Sequence, residues 1–515
     1  MSIVKGTADA LREFLAPFPL LRRLTHAAGW TTLGTLIGNG LTFIAMIFVA
    51  RIVGRDRFGE LGILQSTVVM FQVFASVGLG MTAMKHVAEY RASEPARAGH
   101  VIAISDLVAL ISGSLAALVV IVLAPWLAAR VLVRAGMAVL LRIAAVTIGL
   151  SALTGAMNGS LAGMEEFRSI AIINFVGGLA GFPLILAGAW WNGTVGVALA
   201  MATQALLTCV LVSLTARRKA RRHHIPISLR NATEWPVLWR FSLPAMLSGI
   251  MVAPAEWLCT AMLVRHGGYS QMGYYAVATQ WRNVLMFLPA MIVQSALPVL
   301  ASVKSAHGPD SEEFRRLTLA SQSAIMLLIL PVATVLMFLS REILRLYGAA
   351  FLSGSTVLVA VGLMVAIGST GSGLGPAIEA WGNMWAAAMS NFSWATCYVL
   401  FSWASVSRLG AAALPFAAAL GYIVQMCFNL FYFRGRFPHG IGGRIAKAIS
   451  AAVAAAALCL AVPIGMRLWL ALPCAVAFLL LGVFYFSDRD LIAGTLLRQW
   501  QTFSEARKTR DKETV

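Results

Sequence analysis

Apolar runs of about twenty residues, each long enough to cross a bilayer, recur along this chain from residue 31 to residue 487. No other feature constrains the fold as strongly. In hydrocarbon, backbone N–H and C=O groups must be satisfied internally, and a lone apolar segment does so only as a helix. The windows fall at roughly 31–50, 61–83, 103–128, 138–160, 168–190, 194–215, 241–264, 274–299, 317–339, 355–378, 384–407, 410–433, 446–465 and 468–487. The sequence therefore predicts an all-α polytopic membrane protein with about fourteen transmembrane helices. Composition agrees, since 59% of the 515 residues are hydrophobic and 12% are charged, about half the ~25% charge of soluble domains.

The net charge of +19 would suggest nucleic acid in a soluble chain. Here the basic residues are scattered over short loops, so topology explains them and no nucleic-acid partner is expected. With a cytoplasmic N-terminus, most of the 40 Lys and Arg residues lie on inner segments, as the positive-inside rule requires. The densest run, Arg217-Arg-Lys-Ala-Arg-Arg222, reads as a topogenic anchor facing lipid headgroups. Both termini are expected in the cytoplasm. Residues 1–30 lack the apolar core and cleavage site of a signal peptide.

Every expected outer loop is short, which argues against a membrane glycosyl polymerase or ligase with an external catalytic loop. The six cysteines all fall inside apolar runs, where they act as small apolar side chains, so no disulfide is expected. No histidine pair has metal-ligand spacing within a span, and no P-loop, nucleophile elbow or zinc motif occurs. The reading is therefore of a non-enzyme with no catalytic residue, metal or cofactor, drawing on an ion gradient or on the gradient of its substrate.

An internal repeat organises the chain. Arg51-Ile-Val-Gly54-Arg-Asp-Arg-Phe58-Gly59 and Arg265-His-Gly-Gly268-Tyr-Ser-Gln-Met272-Gly273 share the pattern R-x-x-G-x-x-x-[FM]-G. Their positions predict two six-helix bundles of the same orientation plus two extra C-terminal helices, a parallel repeat with the substrate between its halves. The boundaries are a cytoplasmic segment 1–30, a bundle 31–215, a basic linker 216–240, a bundle 241–433, two added helices 434–487 and a cytoplasmic tail 488–515.

Ionisable groups within spans are costly and mark candidate sites. Glu256 and Arg282 both sit about 12–14 Å below the expected outer surface at 1.5 Å per residue. They read either as a structural ion pair or as part of a cavity wall, where Arg282 meets an anionic headgroup and Glu256 exchanges a proton. Gln65, Gln72, Gln280, Asn283 and Gln294 suit interhelical hydrogen bonds and equally a sugar-binding cavity. Lys85 reads as a snorkelling anchor or as a guide for phosphate at the inner mouth. Glu379 follows the helix-breaking stretch Gly368-Ser-Thr-Gly-Ser-Gly-Leu-Gly-Pro376 and is an interfacial or a gating residue. Asp106 is a helix cap or, like Glu379, a gating candidate.

Longer stretches carry a resemblance. Phe48-Val-Ala-Arg51-Ile-Val-Gly54-x3-Phe58-Gly59-Glu-Leu-Gly, then Phe74-Ala-Ser-Val-Gly78-Leu-Gly80 and Lys85-x3-Glu89-Tyr90-Arg91, resemble the opening of bacterial Wzx-type polysaccharide flippases. Leu297-Pro298 and Arg345-Leu-Tyr-Gly348-Ala-Ala-Phe351 resemble motifs of that family's second half. The motifs also suit the wider superfamily of multidrug, oligosaccharidyl-lipid and polysaccharide exporters. The resemblance implies a flippase that moves an undecaprenyl-diphosphate-linked oligosaccharide across the bacterial plasma membrane for O-antigen, capsule or exopolysaccharide assembly. It implies alternating access around a V-shaped cavity whose basic residues hold the diphosphate, with Arg282 the basic residue well inside a span. Implied partners are the lipid-linked substrate, membrane lipids, polysaccharide polymerase machinery, and a proton or sodium as coupling ion. An ion-coupled exporter of drugs or metabolites is the alternative reading.

Overall fold

The computed structural model describes residues 19–76, 78–230, 234–235, 250–308, 311–381, 383–437 and 440–486. The start of the N-terminal segment, residues 231–233 and 236–240 of the basic linker and the tail 488–515 lie outside the described residues. The chain divides into two compact units, Met1–Arg265 and His266–Val515.

The first unit holds α1 (Pro19–Val53), α2 (Arg55–Ser76), α3 (Leu79–Tyr90), α4 (Pro95–Trp126), α5 (Met137–Gly163) and α6 (Phe167–Arg222). The next helix, α7 (Val252–His307), begins in this unit and ends in the second. The second unit continues with α8 (Glu312–Phe338), α9 (Ser340–Arg345), α10 (Ser355–Ser372), α11 (Gly375–Trp381), α12 (Met384–Leu409), α13 (Ala413–Tyr432), α14 (Ile441–Ala461) and α15 (Ile464–Phe486).

The all-α polytopic architecture stands, but the helix count does not. Ten helices among the described residues are long and apolar enough to cross a membrane, rather than about fourteen, and the division into two six-helix bundles plus two extra helices falls with that count. The physical reason lies at the junctions between apolar windows. Windows 168–190 and 194–215 fall in one element, Phe167–Arg222, which leaves helical geometry only at Asn192 and Gly193. Windows 241–264 and 274–299 meet in Val252–Val293, and 384–407 and 410–433 meet in Trp385–Tyr432. At each of these junctions the backbone leaves helical geometry, at Asn192 and Gly193, at Gly268 and at Gly410. The paired windows therefore share one apolar stretch across a kink, and across the first of them Gly188 packs against Gly196.

Small residues set the packing of the first unit. A Cβ at Gly34 would lie 2.5 Å from Ala171 Cα, and one at Gly38 would lie 2.5 Å from Asn174 O. On the facing helix, a Cβ at Gly178 would come within 2.6 Å of Gly38 Cα. Gly34-x3-Gly38 on α1 thus meets a small-residue face of α6, the close approach that drives helix association where burial of apolar surface gives no gain. Large apolar side chains such as Leu115, Leu118 and Val122 on α4 are left exposed, as a lipid-facing surface requires.

In the second unit α8 is capped by Ser311, whose hydroxyl accepts from Phe314 N, with Glu312 and Glu313 in the first turn. The last two helices are not appended to this unit but packed within it, α14 against α8 and α10, and α15 against α8. Cys459 Sγ of α14 reaches Met337 O of α8 at 3.3 Å.

The repeated glycines share a positive φ. Gly54, between α1 and α2, has φ 79°, and Gly268, within α7, has φ 74°. A Cβ at either position would meet nothing within 4 Å, so left-handed backbone, not space, calls for glycine at both. Phe58 and Met272 of the same pattern are both buried.

Candidate functional site

In the first unit, polar side chains join α2 to the start of α7. Trp257 Nε1 donates to Thr67 Oγ1 at 3.0 Å, and Ser66 Oγ shares a hydrogen bond of 3.0 Å with Thr260 Oγ1. Gln65 and Glu256 flank this joint in sequence, and both are half-buried. Gln72, two turns further along α2, is half-buried as well.

Lys85 is exposed near the end of α3. Its neighbour His86 lies 3.2 Å from Glu89 Oε2. Burial, followed by the charge of Lys85, nevertheless holds the imidazole below its ordinary range. Nearby, Arg91 pairs with Glu165. Glu166 gathers Lys219 Nζ at 2.6 Å, His223 Nε2 at 3.3 Å and the Ser169 hydroxyl at 3.0 Å. Burial raises the Glu166 carboxyl, but those three donors outweigh it and hold the group below the usual carboxylate range. Asp106 lies well inside α4, with Oδ1 buried and without a hydrogen-bond partner among the described residues. Arg217, at the far end of α6, supplies the attractive field it feels.

In the second unit, Gln280, Arg282 and Asn283 lie on one turn of α7. Gln280 Oε1 accepts from the Tyr347 hydroxyl at 3.1 Å. Tyr347, only 1% exposed, lies in the Arg345–Phe351 stretch with its ring 6.0 Å from that of Phe351. Burial holds its hydroxyl well above the usual tyrosine range, with Trp281 pulling the other way. Arg282 is half-buried and Asn283 exposed. Glu256 and Arg282 therefore fall in different units. The side chains of Gln294, Leu297 and Pro298 lie outside the described residues.

The glycine-rich stretch does end a helix: α10 stops at Ser372 and α11 starts at Gly375. Around α11, Lys304 Nζ donates to Ala380 O at 2.8 Å, and Trp381 packs 4.9 Å from Phe433 and 5.1 Å from Phe437. Asn383 then caps α12 through Ala386 N. Glu379 is exposed on this clamped turn and lines a cavity of about 240 Å³ among α10, α11, α12 and α13. Asn391, Gln425 and Asn429 also line it. The sequence analysis missed these three carboxamides, although Gln425 and Asn429 share a helix face at i, i+4 spacing. Among the described residues, no group of three His, Cys, Asp or Glu side chains could hold a metal ion.

The "Polysaccharide biosynthesis protein" family matches residues 24–304, more than half of the chain. The EPS I polysaccharide export inner membrane protein EpsE of Ralstonia nicotianae is 27% identical over 424 residues, covering 79% of this chain and 90% of that protein. EpsE of Ralstonia solanacearum is 26% identical over 442 residues, covering 82% of this chain and 96% of its own. Among solved structures, the lipid II flippase MurJ in an inward closed conformation matches with a TM-score of 0.66 at 14% identity, over 90% of this chain and 99% of that one. An inward-facing multidrug resistance MATE family transporter of the MOP superfamily gives 0.65 at 15% identity, over 82% and 99%. At such identities the likeness is one of fold.

Proposed function

Because the chain belongs to the polysaccharide biosynthesis protein family, a multi-pass inner-membrane transport family rather than an enzyme family, we propose that it flips an undecaprenyl-diphosphate-linked oligosaccharide from the inner to the outer leaflet. The observation that carries this reading is the family match over residues 24–304, supported by the likeness to two polysaccharide export proteins along most of their length. Movement is by alternating access, and the product feeds surface polysaccharide assembly through a polymerase. A proton or sodium supplies the coupling. The positive-inside pattern supports cytoplasmic placement of both termini.

Within this reading Arg282 holds the diphosphate, since a guanidinium forms paired hydrogen bonds with phosphate oxygens. Glu256, half-buried beside the α2–α7 joint, carries the coupling proton. Gln65, Gln72, Gln280 and Asn283 contact the oligosaccharide, Lys85 draws phosphate towards the inner mouth, and Asp106 and Glu379 act in gating. A basic linker at 216–240 between the two halves of the repeat belongs to the same proposal, without the six-helix count.

The test is the fate of lipid-linked oligosaccharide in cells lacking the protein. Accumulation in the inner leaflet, relieved by the wild-type gene, is the expected result. Normal surface polysaccharide with altered drug sensitivity would overturn it in favour of an ion-coupled exporter of drugs or metabolites.

A further inference from the structure

The cavity between α10, α11, α12 and α13 has a lining that selects for one kind of ligand. Its volume is about 240 Å³, the space of about eight waters at ~30 Å³ each. That is far more than a bare cation fills and close to what one pyranose ring with its hydroxyls occupies. The wall presents the Glu379 carboxylate, the Ser390 hydroxyl and the carboxamides of Asn391, Gln425 and Asn429 beside the Tyr422 ring. Among the described residues, no lysine, arginine or histidine lines it.

Two features mark the wall as built for a ligand. Gln425 Nε2 donates to Asn391 Oδ1 at 3.1 Å, which fixes the orientation of both amides. Asn429 is only 8% exposed, and its Oδ1 has no hydrogen-bond partner among the described residues. A buried carbonyl oxygen left unpaired is costly, and rotation of the Asn429 amide towards a hydroxyl donor in the cavity that it lines would satisfy it. Tyr422 is held in turn by Trp394, 5.5 Å away ring to ring, and by Gly368, where a Cβ would come within 3.0 Å of the Tyr422 ring.

We propose that this cavity is a binding subsite for a single uncharged pyranose ring of a saccharide. Carboxamides offer a donor and an acceptor side by side, which matches vicinal sugar hydroxyls acting as acceptor and donor. The carboxylate accepts two further hydroxyl protons. A uronate or a phosphate finds no cation in the lining and is repelled by Glu379, so the site discriminates against acidic sugars. The inference rests on the saccharide-transport reading above and specifies which sugar residues the second unit accommodates.

The full-length protein, purified in lipid nanodiscs, is titrated by calorimetry with methyl pyranosides of glucose, galactose, mannose and N-acetylglucosamine, with methyl glucuronide and galacturonide, and with sodium chloride. At least one neutral pyranoside is expected to bind and both uronides to fail. Asn429→Leu and Glu379→Gln are expected to weaken that binding by about tenfold or more, the cost of leaving a sugar hydroxyl unpaired in a site built for it. Gly375→Met guards against misfolding, because a Cβ at Gly375 meets nothing within 4 Å. It should fill the cavity and abolish binding while the protein stays monodisperse. Binding of uronides or sodium but of no neutral pyranoside, no binding by any probe, or neutral binding unchanged in all three variants would each overturn the proposal. Export assays in cells separate the two readings. Normal export without the gene sinks the flippase, whereas loss of export without the gene but full export by Gly375→Met sinks only the subsite.

Discussion

The Tyr347 hydroxyl donates to Gln280 Oε1 at 3.1 Å and so ties the Arg345–Phe351 stretch to α7 within the second unit. The tyrosine is buried while the glutamine is only half-buried, so removing the donor strands an acceptor that water reaches in part. Tyr347→Phe keeps the ring against Phe351 and should cost about 1 kcal/mol. Tyr347→Ala also empties the site of the ring and should cost about 3–5 kcal/mol. Thermal unfolding of the two variants in the same detergent checks the order, and equal losses would show that the hydrogen bond carries the whole contribution.

Close packing of α1 on α6 gives a second expectation. A Cβ at Gly38 lies 2.5 Å from the backbone oxygen of Asn174, whereas one at Gly40 meets nothing within 4 Å. Gly38→Ala should therefore push the helices apart and destabilise the protein by about 1–3 kcal/mol. Gly40→Ala, two residues away on another face, should be neutral or slightly stabilising. Comparable melting temperatures for the two variants would refute the small-residue interface.

Hydrophobicity made the helical, membrane-spanning character legible, because each apolar run reports its own cost of exposure. It could not report how runs are joined. Gly54 and Gly268 share a positive φ, and the sequence pattern singled out both. Asn192 and Gly193, by contrast, turn α6 back on itself, bringing Gly196 against Gly188 and Gln204 against Gly177, and nothing in the apolar count describes that turn. Charge made Glu256 and Arg282 stand out as candidates. Asn391, Gln425 and Asn429 carry no charge, and only folding brings α12 and α13 together around one cavity. Gln280 shows the converse: a polar residue in a span that spends its oxygen on Tyr347.

Glu166 predicts an acid-sensitive joint between the two ends of α6. Lys219, His223 and Ser169 hold its folded carboxyl below the ordinary value of 4.5. A carboxyl with a depressed folded pKa contributes stability that is fully present above its unfolded pKa, and loses it as pH falls through the folded value. Glu166→Gln should thus be less stable than wild type at neutral pH. The gap between their melting temperatures should close as pH drops below about 4. A gap that stays constant down to about pH 3 would mean that the carboxylate charge contributes nothing.

Arg282 and Glu256 allow the transport reading to be tested at the level of side chains. A guanidinium that holds a diphosphate contributes both charge and paired donors, so Arg282→Ala should abolish surface polysaccharide and Arg282→Lys should restore part of it. If Glu256 carries the coupling proton, Glu256→Gln keeps its shape and removes only its titration. Export by that variant should then be reduced and should no longer respond to a change in external pH. The two defects are separable by photocrosslinking of lipid-linked substrate, which Arg282→Ala should weaken and Glu256→Gln should leave intact. Near-normal export by both variants at unchanged protein levels would remove the proposed roles of both residues, since neither charge would then be needed for any step of the cycle.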